Sequence, residues 1–195
     1  MDENGNKMSK SIGNVIDAQK LLGENSVDLI RFYFIWKSSP IESLNFNLNE
    51  MMSRPYQIIN TLYNMHVYFK QNSAFDKFEQ EKHSIEWILR NNLLGITEEW
   101  LLSKLQTLVR DVSMDFERCR FNQGAKAIED FIINHISQTY IPLIRSDIWD
   151  DSIEHLNHRL SIYSVLGHAL KQIDIMLHPL SPFTTEYLYL TCFAN

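Results

Sequence analysis

A chain of 195 residues that is 45% hydrophobic and 22% charged is long enough to bury a core and too apolar to remain disordered. Its formal net charge of −6 excludes a surface that binds nucleic acid all round, while leaving room for a local basic stripe acting over a screened distance of about 10 Å. Its two cysteines, Cys119 and Cys192, exclude a disulfide framework and a Cys-x-x-Cys zinc site, and are expected to be reduced.

No signal peptide opens the sequence and no apolar run is long enough to span a bilayer, so a soluble, cytoplasmic protein is expected. Six glycines and five prolines leave few turn signals, which favours long helices. Residues 1–14 are polar and read as a mobile loop carrying Gly5, Gly13, Lys7 and Lys10. The sequence enters directly on this loop, and Met1 is expected to head a piece of a longer protein. Asp17 is placed to cap a short helix to Leu22 that Gly23 stops. Asn25 or Ser26 starts a second helix to about Lys37, with Val27, Ile30, Phe34 and Ile35 at helical spacing, and Pro40 forbids its continuation. Leu44 to Phe46 form a short strand or an extended connector.

Helix resumes near Leu48. Pro55 either kinks it or lies in the first turn of a new helix starting at Ser53, which runs to about Lys70. Residues 71–95 read as a loop with a short helical piece around Trp87. Thr97 is placed to cap the next helix, with Glu98 and Glu99 favourable to its dipole and Leu101, Leu105, Leu108, Val112 and Phe116 on one face. A further helix spans about Asn122 to Arg145, with Ala125, Ile128, Ile132 and Ile136 inward, and another about Ile153 to Leu177. Pro179-Leu180-Ser181-Pro182 breaks the chain, and Ser181 with Pro182 starts a last helix.

The stretch Lys7-Met8-Ser9-Lys10-Ser11 carries the chemistry. Each lysine ammonium offers three donors and a full positive charge, and hydroxyls and loop amides add to an anion-binding set. Such a loop suits a polyphosphate and stabilises charge developing on a leaving pyrophosphate. On residue types alone, a solvated loop with two lysines is the commoner outcome.

The string resembles the second signature of the class I aminoacyl-tRNA synthetases. The longer run from Asp2 to Asp17, including Ile12-Gly13-Asn14-Val15, is similar to the isoleucyl and valyl branch, as is Val27-Asp28-Leu29-Ile30-Arg31-Phe32-Tyr33. Leu44-Asn45-Phe46, Asn60-Thr61-Leu62-Tyr63-Asn64, Trp100-Leu101-Leu102-Ser103-Lys104-Leu105, Tyr140-Ile141-Pro142-Leu143-Ile144-Arg145 and Pro179-Leu180-Ser181-Pro182-Phe183-Thr184-Thr185-Glu186 continue the resemblance. The Trp100–Leu105 stretch, and Leu143-Ile144-Arg145 followed by Trp149, are closer to the isoleucyl side than to the valyl. Ile12 departs from the usual Leu, Ala18 from a common Pro, and Gln138-Thr139 from a frequent Trp before Tyr140.

The resemblance implies a mainly α fold. Residues 1–50 would be a signature-loop and stem-contact unit that ends a catalytic domain, and 51–195 an antiparallel helix bundle that binds the anticodon arm. The parent enzyme would be a monomer that activates isoleucine with ATP and Mg²⁺ and transfers it to an isoleucine-accepting tRNA. Lys7 and Lys10 would be catalytic, and Lys7, Met8, Ser9, Lys10 and Ser11 would hold the ATP phosphates. This piece alone would be inactive and would bind no cofactor tightly.

Arg110, Arg118, Arg120 and Lys126 cluster at one helix junction, where a solvated edge competes with tRNA phosphate contacts, for which Arg118, Arg120 and Lys126 are the candidates. Trp87 and Trp100 read as core aromatics before base-stacking ones. His155 and His158, three apart, read as a surface pair with no third metal ligand. Asp28 and Arg31, also three apart, read as a local ion pair that the resemblance keeps structural. A stand-alone helical module binding a protein partner remains the rival class, with no reason of its own to keep the signature loop.

Overall fold

The computed structural model describes residues 1–39 and 41–194, so the break expected at Pro40 lies outside it. The described residues are helical, with no strand among them. The helices are α1 (Ala18–Glu24), α2 (Val27–Lys37), α3 (Leu48–Phe75), α4 (Ile85–Arg90), α5 (Ile96–Glu117), α6 (Phe121–Asp130), α7 (Ile141–Trp149), α8 (Leu156–Leu177) and α9 (Pro182–Cys192). A π-helical segment (Phe131–Tyr140) joins α6 to α7, and a 3₁₀ turn (Ile153–His155) leads into α8.

Helix α8 is the axis. Leu160, Ile162, Tyr163, Val165, Leu166, Ala169, Leu170 and Ile173 bury nearly its whole circumference, the pattern of a helix surrounded by others. It packs against α3, α4, α5, α6, α7 and α9. The inward stripes expected of α5 and α6 are buried, from Leu101 to Val112 and from Ala125 to Ile136. Short connections set the long helices antiparallel.

Several boundaries differ from the sequence expectation. Gly23 does not stop α1: the helix continues to Glu24, and the Asn25 N–H closes it on the Leu21 carbonyl. Helix α3 starts at Leu48 as expected and, of the two alternatives at Pro55, runs on through it as one 28-residue helix with no new start at Ser53; it ends at Phe75, not Lys70. The Asn47 side chain caps it by accepting the Glu50 N–H at 3.0 Å. Pro55 lies inside, where burial of Met51, Pro55, Ile58 and Leu62 along one stripe offsets a proline cost of about 3 kcal/mol. Thr97 is not a cap either: α5 begins at Ile96 after Gly95. Glu98 does not face solvent at a helix end but is 1% exposed and accepts the Tyr140 hydroxyl at 3.2 Å. Burial, then the Glu98 carboxylate, pushes that phenol far up.

The helix expected over Asn122 to Arg145 is a single rod from Phe121 to Trp149, but its middle is π-wound. There the Thr139 hydroxyl reaches the Asn134 carbonyl at 2.6 Å and the Ile141 N–H reaches the Ile136 carbonyl, both five residues back. The wider turn buries Phe131, Ile132, Ile133, Ile136 and Tyr140 together, more apolar positions than one α-helical stripe holds. Leu44 to Phe46 are connector, pinned by the Met1 ammonium on the Leu44 carbonyl at 2.9 Å and by the Phe46 N–H on the Met1 carbonyl at 3.0 Å.

One buried ion pair ties the end of α3 to α8. The Arg159 guanidinium, 3% exposed, meets both Asp76 carboxylate oxygens at 2.8 and 2.9 Å, and the Tyr163 hydroxyl donates to the same carboxylate at 2.8 Å. Arg159 also donates to the Asp150 and Ser152 carbonyls, closing the loop ahead of α8. The hydrogen-bonded Arg159 holds the Asp76 carboxyl below its usual value. A depressed carboxylate contributes stability that is present above its unfolded value of about 3.9 and is lost as pH falls through the folded value. Asp76→Ala strands a buried guanidinium. Thermal melts at neutral pH are expected to show a loss of about 3–5 kcal/mol, or roughly 10 °C. The gap should narrow below about pH 4, as wild type loses the same interaction. A melting temperature within 2 °C of wild type would contradict this reading.

Candidate functional site

The loop of residues 1–14 is a built structure. The Asp2 carboxylate accepts the Asn4 and Asn6 N–H groups at 3.1 and 2.7 Å, forming a tight turn around Gly5. The Asn14 side chain closes the loop from its far end. Its amide donates to Asp2 at 2.9 Å and its carbonyl oxygen accepts the Ser9 N–H at 2.8 Å. The Asn14 contact, followed by the Asn6 N–H, holds the Asp2 carboxyl below its ordinary value. Gly13, at φ +75°, donates to the Ser9 and Lys10 carbonyls, a left-handed position that favours glycine.

This frame leaves Lys7, Lys10 and Ser11 exposed and half-buries Met8 against Leu29, Ile30, Tyr33, Phe46 and Met51. Among the described residues neither lysine is paired with a carboxylate. Lys10 and Ser11 form the tip of the turn that the Ile12 N–H closes on the Ser9 carbonyl at 3.1 Å. The Ser9 and Ser11 hydroxyls face each other at 2.7 Å, and Asn14 takes the Ser9 N–H. The lysines are therefore available to an anion as they stand, and of the two hydroxyls only the one that donates in the Ser9–Ser11 contact must give it up to bind a phosphate.

Helix α2 carries the loop and fastens it to the bundle. Asp28 and Arg31 are not a local ion pair. The Asp28 carboxylate, 1% exposed, accepts the Thr184 N–H in the first turn of α9, and the Arg31 guanidinium donates to the Pro179 carbonyl at 3.1 Å. A carboxylate from one end of the chain thus caps a helix at the other, where unpaired N–H groups and the helix dipole favour it. The Trp36 indole N–H and the Arg54 guanidinium meet on Glu129, joining α2, α3 and α6.

The basic junction between α5 and α6 divides. Arg118, at the C-terminus of α5, and Lys126, on α6, are exposed. Arg120 is bound to Asp115 at 2.6 Å, so its charge is largely neutralised. Arg110 pairs with its neighbour Asp111 at 2.9 Å. Trp87 and Trp100 are half-buried against the core, Trp100 stacked on His135 with ring centroids 5.9 Å apart. His155 contacts Asp150 and His158 contacts Asp147. Among the described residues no three His, Cys, Asp or Glu side chains gather as a metal site, and both cysteines are free thiols.

Sequence reasoning missed Asn14 and the α2 clamp. It also missed a buried couple, in which His66 Nε2 lies 2.9 Å from Asp174 while Nδ1 lies 2.9 Å from the Leu62 carbonyl. The carbonyl can only accept, so Nδ1 carries a proton and Nε2 and the carboxyl share another. Burial pushes Asp174 up. The couple links α3 to α8 inside the bundle.

Comparison with known proteins gives two family matches. Residues 1–47 match the tRNA synthetases class I (I, L, M and V), and residues 98–194 match the anticodon-binding domain of tRNA ligase. Similar curated proteins include the isoleucine–tRNA ligase of Methanopyrus kandleri, 30% identical over 190 residues, and that of Porphyromonas gingivalis, 31% identical over 189. Each alignment covers 97% of this chain but only 17% and 16% of the relative, so the chain spans about a sixth of their length. The crystal structure of a LeuRS–tRNA–LeuAMS ternary complex from Agrobacterium radiobacter K84 has the same fold, with a TM-score of 0.72 at 19% identity, covering 100% of this chain and 22% of that one.

Proposed function

Because the chain belongs to the class I aminoacyl-tRNA synthetases, we propose that it supplies two parts of an isoleucine–tRNA ligase: the loop that grips the ATP phosphates and the helical surface that docks the tRNA anticodon arm. The observation that carries this reading is the stapled loop. Asn14 and Asp2 hold its frame closed while Lys7 and Lys10 stand at its surface without carboxylate partners.

Residues 1–50 end the catalytic part and residues 51–195 form the anticodon-binding bundle. Lys7 and Lys10 meet negative charge as pyrophosphate departs; Met8 roots the loop in the α2 core, and Ser9 and Ser11 offer hydroxyls. ATP brings its own Mg²⁺, for which the described residues offer no ligand set. The parent works as a cytoplasmic monomer. This chain alone does not form adenylate, because the fold that brings isoleucine and ATP together lies in the rest of the ligase.

A lysine that acts on charge developing in the transition state affects rate more than amino-acid binding. In a full-length ligase carrying this segment, Lys10→Ala is expected to slow adenylate formation about 100-fold or more, with isoleucine affinity little changed. Lys7→Ala acts in the same direction. Single-turnover rates equal to wild type in both variants would remove the catalytic assignment.

Arg118, Arg120 and Lys126 are the proposed phosphate contacts of the bundle. With Arg120 held by Asp115, most of the interaction falls to Arg118 and Lys126. Replacing those two with Ala should weaken tRNA binding and flatten the log affinity–log salt slope by nearly two units. Adding Arg120→Ala changes the slope little. A salt titration with thermal melts as the folding control checks this. Identical slopes for wild type and the double variant would make this edge a solvated face.

A further inference from the structure

The Asn14 side chain touches three groups at once. Its amide nitrogen lies 2.9 Å from an Asp2 carboxylate oxygen and 3.3 Å from the Lys7 carbonyl, and its oxygen accepts the Ser9 N–H at 2.8 Å. The Asp2 carboxylate, held below its ordinary value, is ionised at neutral pH. It and the Lys7 carbonyl only accept, and the Ser9 N–H only donates, so one of the two amide orientations satisfies all three partners and the other satisfies none. Asp2 is itself fixed. Its N–H reaches the Asn6 carbonyl at 2.9 Å, its other carboxylate oxygen holds the Asn4 and Asn6 N–H groups, and the Met1 carbonyl beside it accepts the Phe46 N–H at 3.0 Å from the connector.

The Lys7 carbonyl and the Ser9 N–H belong to the two peptide planes on either side of Met8. Peptide units are planar, so holding both planes holds the φ and ψ of Met8 between them. The clasp therefore fixes how the chain leaves Lys7 and arrives at Ser9, where the Ile12 N–H on the Ser9 carbonyl closes the turn that carries Lys10. Met8 packs on the α2 core while both lysines stay exposed. Asn14 acts on the lysines through the backbone between them.

We infer that Asn14 is a positioning residue for adenylate formation: turned by Asp2, its carboxamide clasps the backbone around Met8 and sets the spacing of Lys7 and Lys10 for the departing pyrophosphate. This rests on the phosphate-loop reading above. In that reaction an isoleucine carboxylate oxygen bonds to the α-phosphorus of ATP, and the bond from that phosphorus to the bridging oxygen breaks as pyrophosphate leaves with the electron pair. Charge grows on the leaving group, so ammonium groups already in place stabilise the transition state without first being ordered.

The test is single-turnover adenylate formation by a full-length ligase carrying this segment. Asn14→Asp keeps the size and the acceptor for Ser9 but sets oxygen against oxygen at Asp2 and Lys7. It should lower the rate about 10- to 100-fold, the scale on which a misplacement of about 1 Å acts, with KM for isoleucine and the melting temperature unchanged. Asp2→Asn should act in the same direction, because whichever way the Asn14 amide then turns, a donor meets a donor. A residue that acts through the lysines has nothing left to position once they are gone. Asn14→Asp should therefore cost less than about twofold when added to the Lys7→Ala, Lys10→Ala double variant, whereas independent effects multiply. A wild-type rate for Asn14→Asp and Asp2→Asn, or an equal loss with and without the lysines, overturns the inference and leaves the lysine reading standing. Wild-type rates for Lys7→Ala and Lys10→Ala overturn both.

Discussion

The contact between the Asp28 carboxylate and the first turn of α9 is the constraint on which the placement of the loop depends. A buried carboxylate is costly unless it is hydrogen-bonded, and a helix N-terminus supplies both N–H donors and a favourable dipole. Among the described residues its second oxygen has no hydrogen-bond partner, which leaves the helix end as its compensation. With Arg31 on the Pro179 carbonyl, the clamp spans about 150 residues of chain. A hydrogen bond to a charged group contributes about 1.5–3 kcal/mol, enough to decide between two orientations of a short helix. The rest of α2 follows from that placement. Leu29, Ile30 and Tyr33 hold the loop and the connector, while Phe32 enters the core of the bundle.

Helix identity and inward faces were legible because they rest on local periodicity. The Asp17 cap is legible for the same reason, since caps act within one turn; Pro182 does open α9, but the Ser181 side chain makes no cap bond there, and the carboxylate that does comes from Asp28. Contacts that close over long stretches were not legible. Asp28 and Arg31 sit three apart, and sequence alone favours the nearest opposite charge. Only the fold brings the Pro179–Thr184 turn closer. Arg159 and Asp76, 83 residues apart, gave no signal at all. The π segment was hidden because an apolar run of Phe131, Ile132 and Ile133 fits an α-helical pattern until the packing demands that all three be buried.

The site divides in the same way. Lys7 and Lys10 were legible through the string around them, whereas the frame that presents them was not. An asparagine in a polar loop has many roles, and nothing local marks Asn14 as the residue that joins Asp2 to Ser9. Sequence alone places Arg120 in the basic cluster with Arg118 and Lys126, because its partner Asp115 lies across the turn between α5 and α6. The molecule combines a buried axis in α8 with an exposed loop whose frame is held by Asp2 and Asn14 and whose tip, from Ser9 to Ser11, is held by bonds a ligand can rearrange.

The central claim is that the signature loop and the bundle are one mechanical unit through α2. Residue-resolved hydrogen exchange on Asp28→Ala tests it most directly. The account predicts that protection falls together at the Thr184 amide and at α2 amides such as Ile30 and Phe32, while α8 stays protected. If α9 alone loosens and α2 keeps its wild-type protection, the loop is held by its local core and the clamp is not what places it.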